Sequence, residues 1–451
     1  MAANKIATLI RDAMIVADGT TRRGSVAIDT EGRIDAVYAD GDVLPEAQET
    51  VDAHDLYLLP GAIDDHVHFR DPGLTHKADM ATESAAAILG GVTSVLDMPN
   101  TNPQTTSVLA WQAKMNSAAG RMRTNYAFYI GATNANADEL LRANYTKACG
   151  IKVFMGSSTG GMLVDSEAQL RKIFSEAPTL IAAHCEDESI IRANSEAARA
   201  KFGDNVPWAQ HAEIRSRRAC YASSSMAADM ATETGTRLHI MHITTKEEVD
   251  MLDLLHESGH ANITGEACPA HLWFHMEDYD SLGPLVKCNP AVKTFADRNA
   301  LRMAVSSGII ATVGTDHAPH TLDEKTGHDY WHTPSGMPMI QHSLQVMLRL
   351  ADEGWWDYPT VAARMAEGVA DLYGIEDRGH IRAGQWADLV LVRKAPQVVG
   401  TVAYKCAWSP LKGVMMNHTI ERTYVNGTLA QQGGALTDKN SAAPITFKPR
   451  R

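Results

Sequence analysis

Residue types that bind divalent metal ions occur close together near position 66. The stretch GAIDDHVHFRDPG, residues 61–73, places His66 and His68 two positions apart after a short apolar run. Side chains alternate between the two faces of a strand, so both imidazoles share one face. Imidazole is a common ligand of zinc, although one such pair is a weak signal when it stands alone.

Further donors follow later apolar runs in the same way. His184 lies in LIAAHCED, His242 in RLHIMHITT and Asp316 in GIIATVGTDHAPH. Imidazole nitrogens together with a carboxylate form a typical donor set for a divalent ion, with zinc the expected one. The pattern predicts that these three residues meet His66 and His68 around a metal site.

Lys152, in GIKVFMG, is an unusual member of this group because burial would favour its neutral amine. Three interpretations stay open on the residues alone. The amine could form a Schiff base with a carbonyl substrate, it could reach solvent as a structural lysine, or it could capture carbon dioxide as a carbamate. The neighbouring histidines favour a carbamate that bridges two cations, which lie about 3.5–4 Å apart in such sites.

Other histidines are expected to be structural. His239 lies three residues before His242, so alternation predicts that it faces the other side of the strand. Surface or packing positions are expected for His54, His256, His260 and His275.

The elements that must position these residues form a regular series. Eight apolar runs recur between residues 58 and 320, and helical patterns such as residues 78–89 and 247–255 separate most of them. This alternation predicts an α/β fold, a (β/α)₈ TIM-type barrel over residues 56–380. A doubly wound open sheet is the alternative, but no GxGxxG follows the first strand. Active sites of such barrels form at the carboxyl ends of the strands, where the candidate ligands lie.

The two ends of the chain resemble each other in pattern. Alternating strands with Asp-Gly and Asn-Gly turns occupy residues 1–55 and 381–451. These segments predict one small β-sandwich domain built from both termini. Two unrelated β appendages are the alternative.

Composition limits the partners. The chain has 451 residues, 45% hydrophobic and 21% charged, with a net charge of −13 and scattered basic residues. Nucleic acid and membranes are therefore not expected as partners. No signal peptide or membrane span is recognised, and six dispersed cysteines without a CxxC pair predict free thiols in a reducing, cytoplasmic protein.

Several stretches together resemble the amidohydrolase superfamily and, within it, the dihydroorotases. They are HVHFRDPG, GGVTSVLDMPNTNP, GIKVFMG, AAHCED, HIMHITTKE, KCNPAVK and TDHAPHTLDEK. The resemblance covers most of the chain and includes the split β domain. Two stretches depart from it: KVFMGSS offers no carboxylate in place of a modified lysine, and SGMPMIQHSLQ differs from the family's glycine-leucine-glutamate version.

The resemblance implies two divalent metal ions, with zinc expected, and a carboxylated Lys152 that bridges them. Asp316 would also act as the catalytic proton shuttle. The implied ligands are His66, His68, Lys152, His184, His242 and Asp316.

The resemblance also implies a small anionic substrate. Arg70, Asn100 and His320 match the positions that hold its carboxylate, and Asn289 matches a contact to a dihydropyrimidine ring. The implied reaction is the reversible hydrolysis of L-dihydroorotate to N-carbamoyl-L-aspartate in pyrimidine biosynthesis, with a hydroxide between the two cations as nucleophile. The segment 321–339 is expected to order over the substrate, and a homodimer is usual among similar proteins.

Three other functions stay open, one of them a lyase that would form a Schiff base between Lys152 and its substrate. An allantoinase or hydantoinase would share the metal ligands but should lack the carboxylate-binding residues Arg70, Asn100 and His320. A non-catalytic scaffold of the same fold is the alternative from another class, and the complete ligand set argues against it.

Overall fold

The structure is a computed structural model that describes residues 5–156 and 161–449. Residues 1–4 and 450–451 of the predicted terminal domain, and the two serines of KVFMGSS, lie outside the described residues. Twenty strands occur in the described part of the chain. In chain order they are β1 (Ile6–Ala17), β2 (Thr20–Asp29), β3 (Ile34–Ala39), β4 (Ala47–Asp52), β5 (Leu56–Pro60), β6 (Ala62–Val67), β7 (Val92–Asp97), β8 (Asn125–Phe128), β9 (Ile130–Gly131), β10 (Ile151–Phe154), β11 (Ile181–His184), β12 (Leu238–Ile240), β13 (Ile263–Ala267), β14 (Ile310–Val313), β15 (Leu389–Arg393), β16 (Gln397–Val398), β17 (Met415–Met416), β18 (Thr419–Val425), β19 (Thr428–Gln432) and β20 (Ala435–Leu436).

Helices separate most of the central strands. They are α1 (Met80–Leu89), α2 (Val108–Ala118), α3 (Ala137–Leu140), α4 (Glu167–Glu176), α5 (Glu188–Phe202), α6 (His211–Ile214), α7 (Arg217–Thr234), α8 (Lys246–Glu257), α9 (Pro269–Trp273), α10 (Asp278–Leu282), α11 (Phe295–Ser307), α12 (Leu322–Thr326), α13 (Ser343–Asp352), α14 (Tyr358–Ala362) and α15 (Gly368–Tyr373). Short-range signals explain where several begin. Asp79, Thr245 and Thr294 each accept a backbone hydrogen bond in a capping box at the start of α1, α8 and α11.

The central strands pair in parallel and in chain order, which confirms the predicted α/β organisation. One sheet has the order β6-β7-β8 and the other runs from β9 to β14. Only Tyr129 separates β8 from β9, and a parallel bridge joins Val67 at the end of β6 to His317, beyond β14. The carboxyl ends of all these strands therefore face one side of the molecule.

Strands from both ends of the chain share one nine-stranded sheet. Its order is β20-β19-β18-β15-β5-β1-β2-β3, and β4 pairs with β1. The Asp18-Gly19 and Asn426-Gly427 turns close the β1–β2 and β18–β19 hairpins. Strand β5, at the start of the range predicted for the barrel, pairs with β1 and β15 in this sheet.

Residues of the central strands belong to two apolar clusters. Val67, Val95, Val153 and Ala183 belong to the large cluster that also contains helix residues such as Leu170. Leu96 and Ala182, each next to a member of the first cluster on its strand, belong to a second cluster, which the tail residues Ile445 and Phe447 join.

None of the helices in the described residues is both long and apolar enough to span a membrane. All six cysteines are buried and free, as predicted.

Candidate active site

One cavity at the carboxyl ends of the central strands gathers nearly all of the predicted site residues. Nine of the ten line it, together with Phe154, Ala318, Ser335 and Gly336. The tenth, His320, stands behind Arg70, with its Nε2 3.2 Å from the guanidinium Nη2. The nine are His66, His68, Arg70, Asn100, Lys152, His184, His242, Asn289 and Asp316.

The ends of β6 and β14 bring His66, His68 and Asp316 together. Nε2 of His66 and Nε2 of His68 lie 3.2 and 3.0 Å from the same Asp316 carboxylate oxygen. The other ring nitrogens face acceptors, since His66 Nδ1 lies 2.9 Å from Glu266 Oε1 and His68 Nδ1 lies 2.8 Å from the Asn100 amide oxygen. Each Nδ1 therefore carries the proton, and each Nε2 presents a lone pair.

Protonation reinforces this arrangement. Burial lowers the pKa of both His66 and His68 to about 4, so both rings are neutral at neutral pH. Burial alone would raise the pKa of Asp316, but attraction to the two imidazoles and to Lys152 lowers it. Two nitrogen lone pairs and an ionised carboxylate thus converge with no proton to share. A divalent cation fits such a set of donors.

A second pair of imidazoles lies across the cavity on β11 and after β12. His184 Nδ1 is 2.8 Å from His242 Nε2, and both rings are buried. Burial lowers the pKa of each imidazole, so both are neutral donors of the type that metals bind. His184 Nε2 also lies 3.0 Å from Glu186 Oε2, whose carboxylate pairs with Arg215.

Lys152 lies on β10, is fully buried and lines the same cavity as the two imidazole pairs. Its Nζ donates to Met241 Sδ at 2.8 Å and lies 4.9 Å from the centre of the Phe154 ring. Burial lowers the pKa of this amine to about 8. An appreciable fraction of neutral amine, the form able to react with carbon dioxide, is therefore present near neutral pH.

Cationic and amide groups form the opposite wall of the cavity. Arg70 is buried and donates from Nε to the Pro319 carbonyl at 3.1 Å, which fixes the plane of its guanidinium. Asn289 contributes a buried side-chain oxygen that has no hydrogen-bond partner in the described residues. This wall can hold a planar anion next to the metal-binding donors.

Backbone conformation at the strand ends contributes to the placement of the site. Arg70, His242 and Asp316 have φ values of +62°, +42° and +47°. Side-chain-bearing residues seldom adopt this left-handed region, and they cluster at functional sites when they do. At these three positions the local turn aims a side chain at the cavity.

The segment 321–339 covers one edge of the cavity, where the sequence predicted a closing loop. Ser335 and Gly336 line the cavity, and Ala318 N–H donates to Met337 O at 3.1 Å, so the segment returns alongside the end of β14. Gly336 has φ +133°, and a Cβ there would lie 2.5 Å from Ala318 O. Only glycine fits this close approach.

The prediction for His239 was wrong about the direction of its side chain. His239 Nε2 lies 3.2 Å from Thr312 Oγ1 and 3.6 Å from Asp65 Oδ2, on strands that do not neighbour β12. It therefore lies on the same enclosed side as His242. The cause is that β12 ends at Ile240 and His242 has a positive φ, so strict alternation does not extend across the three residues. Of the other four histidines, His54 is exposed and His256, His260 and His275 are partly exposed, as expected.

Two carboxylates that support the site were missed in the sequence. Glu266 on β13 is fully buried, faces His66 and accepts the His242 backbone N–H at 3.0 Å. Glu186 is equally buried between His184 and Arg215. The signal for both was a glutamate inside an apolar run, GEAC and HCED, where only a partnered charge is tolerated.

Comparison with known proteins places this geometry in a family. The Amidohydrolase family model matches residues 57–430. The dihydroorotase of Halobacterium salinarum is 36% identical over 437 residues, which cover 95% of this chain and 97% of that protein. An allantoinase of Deinococcus radiodurans is 29% identical over 439 residues, covering 95% and 96%.

Solved structures show the same relationship. The L-hydantoinase (dihydropyrimidinase) from Arthrobacter aurescens superimposes with a TM-score of 0.93 at 25% identity, covering 98% of this chain and all of that one. A dihydropyrimidinase from Brevibacillus agri superimposes with a TM-score of 0.89. With a family match over most of its length, the chain belongs to the amidohydrolase family, in the branch of the cyclic amide hydrolases.

Proposed function

We propose that the protein is a dihydroorotase, which interconverts L-dihydroorotate and N-carbamoyl-L-aspartate in pyrimidine biosynthesis. The observation that carries this proposal is the buried Arg70 guanidinium, which lines the cavity beside the metal-binding donors. A carboxylate on the substrate ring matches its planar pair of donors. The dihydroorotase similarity at 36% identity points the same way.

Allantoinase and hydantoinase activities are the alternatives, because enzymes with these names are also similar to this chain. Hydantoin has no carboxylate, and would leave the Arg70 donors without an acceptor. An unpaired buried charge is costly, so such a ring is expected to bind weakly. A non-catalytic scaffold would have no need of these donors.

The donor set fits two divalent cations, with zinc proposed on the basis of its imidazole and carboxylate ligands. His66, His68, His184, His242 and Asp316 would hold them, and a carboxylated Lys152 would lie between. When bound, such a pair makes water more acidic and polarises a carbonyl oxygen. Glu266 and Asn100 hold the Nδ1 protons, so that His66 and His68 keep Nε2 free for the ion.

Side chains of the cavity would orient the substrate and transfer the proton. Arg70, His320 and Asn100 orient the ring through its carboxylate, and the Asn289 oxygen accepts a ring N–H. Asp316, whose pKa is lowered, is ionised at neutral pH and accepts the proton of the attacking water. It then delivers that proton to the departing ring nitrogen, and ring closure follows the same path in reverse.

We further propose the architecture and assembly that the sequence predicted. The two parallel sheets would be arcs of one (β/α)₈ barrel within residues 56–380, which the Val67–His317 bridge supports. The terminal strands, residues 1–55 and 381–451, would fold as a β-sandwich around the cluster shared by Ile28 and Leu389. A cytoplasmic homodimer completes the proposal, and sedimentation of the purified protein would test the dimer.

The test of function is a substrate panel on the zinc-loaded protein. We expect ring closure of N-carbamoyl-L-aspartate and opening of L-dihydroorotate, with little turnover of allantoin or hydantoin. In Arg70→Ala, the loss of a buried charged pair is expected to raise KM by about 100-fold and leave zinc content unchanged. Preferred turnover of hydantoin, or full dihydroorotate affinity without Arg70, would overturn the assignment.

A further inference from the structure

Lys77, which the proposed chemistry does not use, lies against the rear of His320. Its Nζ is 3.0 Å from His320 Nδ1 and 3.0 Å from Glu324 Oε1. The His320 side chain is 2% exposed and that of Lys77 is 15% exposed. Burial lowers the pKa of His320 to about 3, so the ring is neutral and has one donor and one acceptor nitrogen.

The neighbours of His320 determine which nitrogen carries the proton. A lysine ammonium only donates, so Lys77 requires a lone pair on Nδ1. Glu324 Oε2 also faces Nδ1, but at 3.7 Å it is too far for a hydrogen bond. A backbone carbonyl only accepts, and Ser335 O lies 3.0 Å from Nε2. Both contacts are satisfied when the proton is on Nε2. The opposite tautomer would oppose donor to donor at Lys77 and acceptor to acceptor at Ser335.

This choice has a consequence for Arg70. Its Nη2 lies 3.2 Å from His320 Nε2, and with a proton on Nε2 this contact joins two donors. The Nε2–H donates to Ser335 O, so Arg70 Nη2 finds no acceptor on His320 and keeps its N–H groups for a carboxylate in the cavity. Without Lys77, the proton could move to Nδ1, and Nε2 would instead accept from Arg70 and occupy the donor meant for the substrate.

We propose that Lys77 is a positioning residue for the substrate carboxylate, because its ammonium holds His320 in the tautomer that has its proton on Nε2. The inference rests on the proposed function for the identity of the anion, a ring carboxylate. Lys77 does not touch that anion: its contacts are to Nδ1 of His320 and to Glu324.

Glu324, which belongs to the segment 321–339, also contacts Lys77. Its Oε1 accepts from Lys77, and its Oε2 accepts the Thr321 backbone N–H at 2.9 Å in the capping box of α12. The ammonium is therefore fixed from the side of the covering segment. When that segment is in place, the Lys77 proton points at His320.

The first test reads the tautomer directly, on the resting zinc-loaded protein without substrate. Imidazole ¹⁵N shifts distinguish a protonated from an unprotonated ring nitrogen, and the His320 signals are assigned by their loss in His320→Gln. The wild-type protein should show the proton on Nε2. Lys77→Met, which keeps the aliphatic stem without the charge, should move a measurable fraction of it to Nδ1, and Lys77→Arg should restore the original state.

The second test measures the consequence for binding. Calorimetric titration of zinc-loaded Lys77→Met with N-carbamoyl-L-aspartate should show about tenfold weaker binding, as for the loss of one hydrogen bond to a charged group. KM for dihydroorotate should rise by the same factor, kcat should change less than about twofold, and zinc content should be unchanged.

Lys405→Met is the matched control, since Lys405 is a surface lysine whose Nζ pairs with Asp79 at 2.7 Å, outside the cavity. It should leave both the tautomer and the affinity unchanged. An unchanged His320 tautomer or an unchanged affinity in Lys77→Met would overturn the role of Lys77. If the wild-type enzyme had no action on dihydroorotate, the proposed function would fail, while the ¹⁵N measurement would still decide whether Lys77 sets the tautomer.

Discussion

At the scale of single residues, burial does much of the chemical preparation of this site. Four imidazoles in the cavity have a lowered pKa because the enclosing strands exclude water from them. Exposed histidines would be partly protonated near pH 6.5 and would repel a cation. The same burial favours the neutral amine of Lys152. The site therefore presents lone pairs at neutral pH without help from the ion.

Lys152 gives the sharpest residue-level prediction. Lys152→Ala removes the buried amine that shares the cavity with both imidazole pairs, so a bridging carbamate could no longer form there. We expect loss of at least one zinc ion per chain, measured by elemental analysis, and loss of activity by a factor of about 10³ or more. Added acetate or propionate should restore part of both. A variant with full metal and activity would exclude the bridge.

Glu266 allows a test of how the first ligands are oriented. Its Oε1 faces His66 Nδ1 and accepts the His242 N–H, so one oxygen fixes a ligand on each side of the cavity. Glu266→Ala should weaken zinc binding by about 10–100-fold, measured by competition with a chelator. Glu266→Gln keeps an oxygen acceptor and should bind zinc within a few-fold of wild type. Equal losses in both variants would assign the effect to charge instead of orientation.

The sequence predicted the metal-binding side chains but not the contacts that hold them in position. His66, His68 and Asp316 could be predicted because each follows the apolar run of a strand, where a local pattern has a fixed geometric meaning. The partners of Glu266 and His239 could not, since these contacts join strands that are 73 to 200 positions apart in the chain. Such contacts leave no spacing signal in one sequence.

At the scale of elements, the segment 321–339 is held by buried polar contacts. Lys287 Nζ donates to Tyr330 O at 2.7 Å and to Thr333 O at 2.6 Å, and Lys325 Nζ donates to Lys287 O and Pro334 O. The sequence predicted a polar loop with glycines from its composition. It did not predict that two lysines would be buried as backbone donors, because hydropathy places lysine on the surface.

Tyr330→Phe tests this anchoring. His211 Nε2 faces the Cys288 carbonyl at 2.8 Å, so its Nδ1 accepts from the Tyr330 hydroxyl at 2.7 Å. Loss of that donor leaves a buried nitrogen unpaired, which should destabilise the ordered conformation of the covering segment by about 1–3 kcal/mol. We expect faster proteolysis within residues 321–339 and a KM raised about tenfold, with unchanged zinc content.

Tyr221→Phe is the control for this prediction, because Tyr221 on α7 is 42% exposed and lines a surface groove with Met251 and Leu254, which are not part of the segment. It should behave as the wild type. Equal proteolysis of both variants would show that the hydroxyl contributes nothing to the order of the segment.

At the scale of the whole molecule, the two ends of the chain hold the central strands from outside. The terminal sheet joins β5, directly before the first central strand, to β15 beyond the last one. The chain then returns, and Pro444 bridges Tyr126 while Phe447 bridges Ile375. Turn and strand patterns predicted the terminal sheet, since they are local. The tail after β20 has no such pattern, and its place follows only from the apolar surface that it covers.

Phe447→Ala tests whether this tail is part of the global fold. Phe447 is buried and lies beside Cys149, Thr179 and Arg237, which directly precede β10, β11 and β12, so it is at the amino ends of the strands, opposite to the metal-binding end. Removal of a buried phenyl ring leaves a cavity and should lower the free energy of unfolding by about 3–5 kcal/mol, measured by urea denaturation of the zinc-loaded protein. Leu109→Ala, at a side chain that is 80% exposed, should cost less than about 0.5 kcal/mol. The ring lies at the end of the strands opposite to the ligands, so the folded Phe447→Ala protein should keep its zinc content and its KM. A lower zinc content or a higher KM at low temperature, where the variant is folded, would show that the tail also affects the active site.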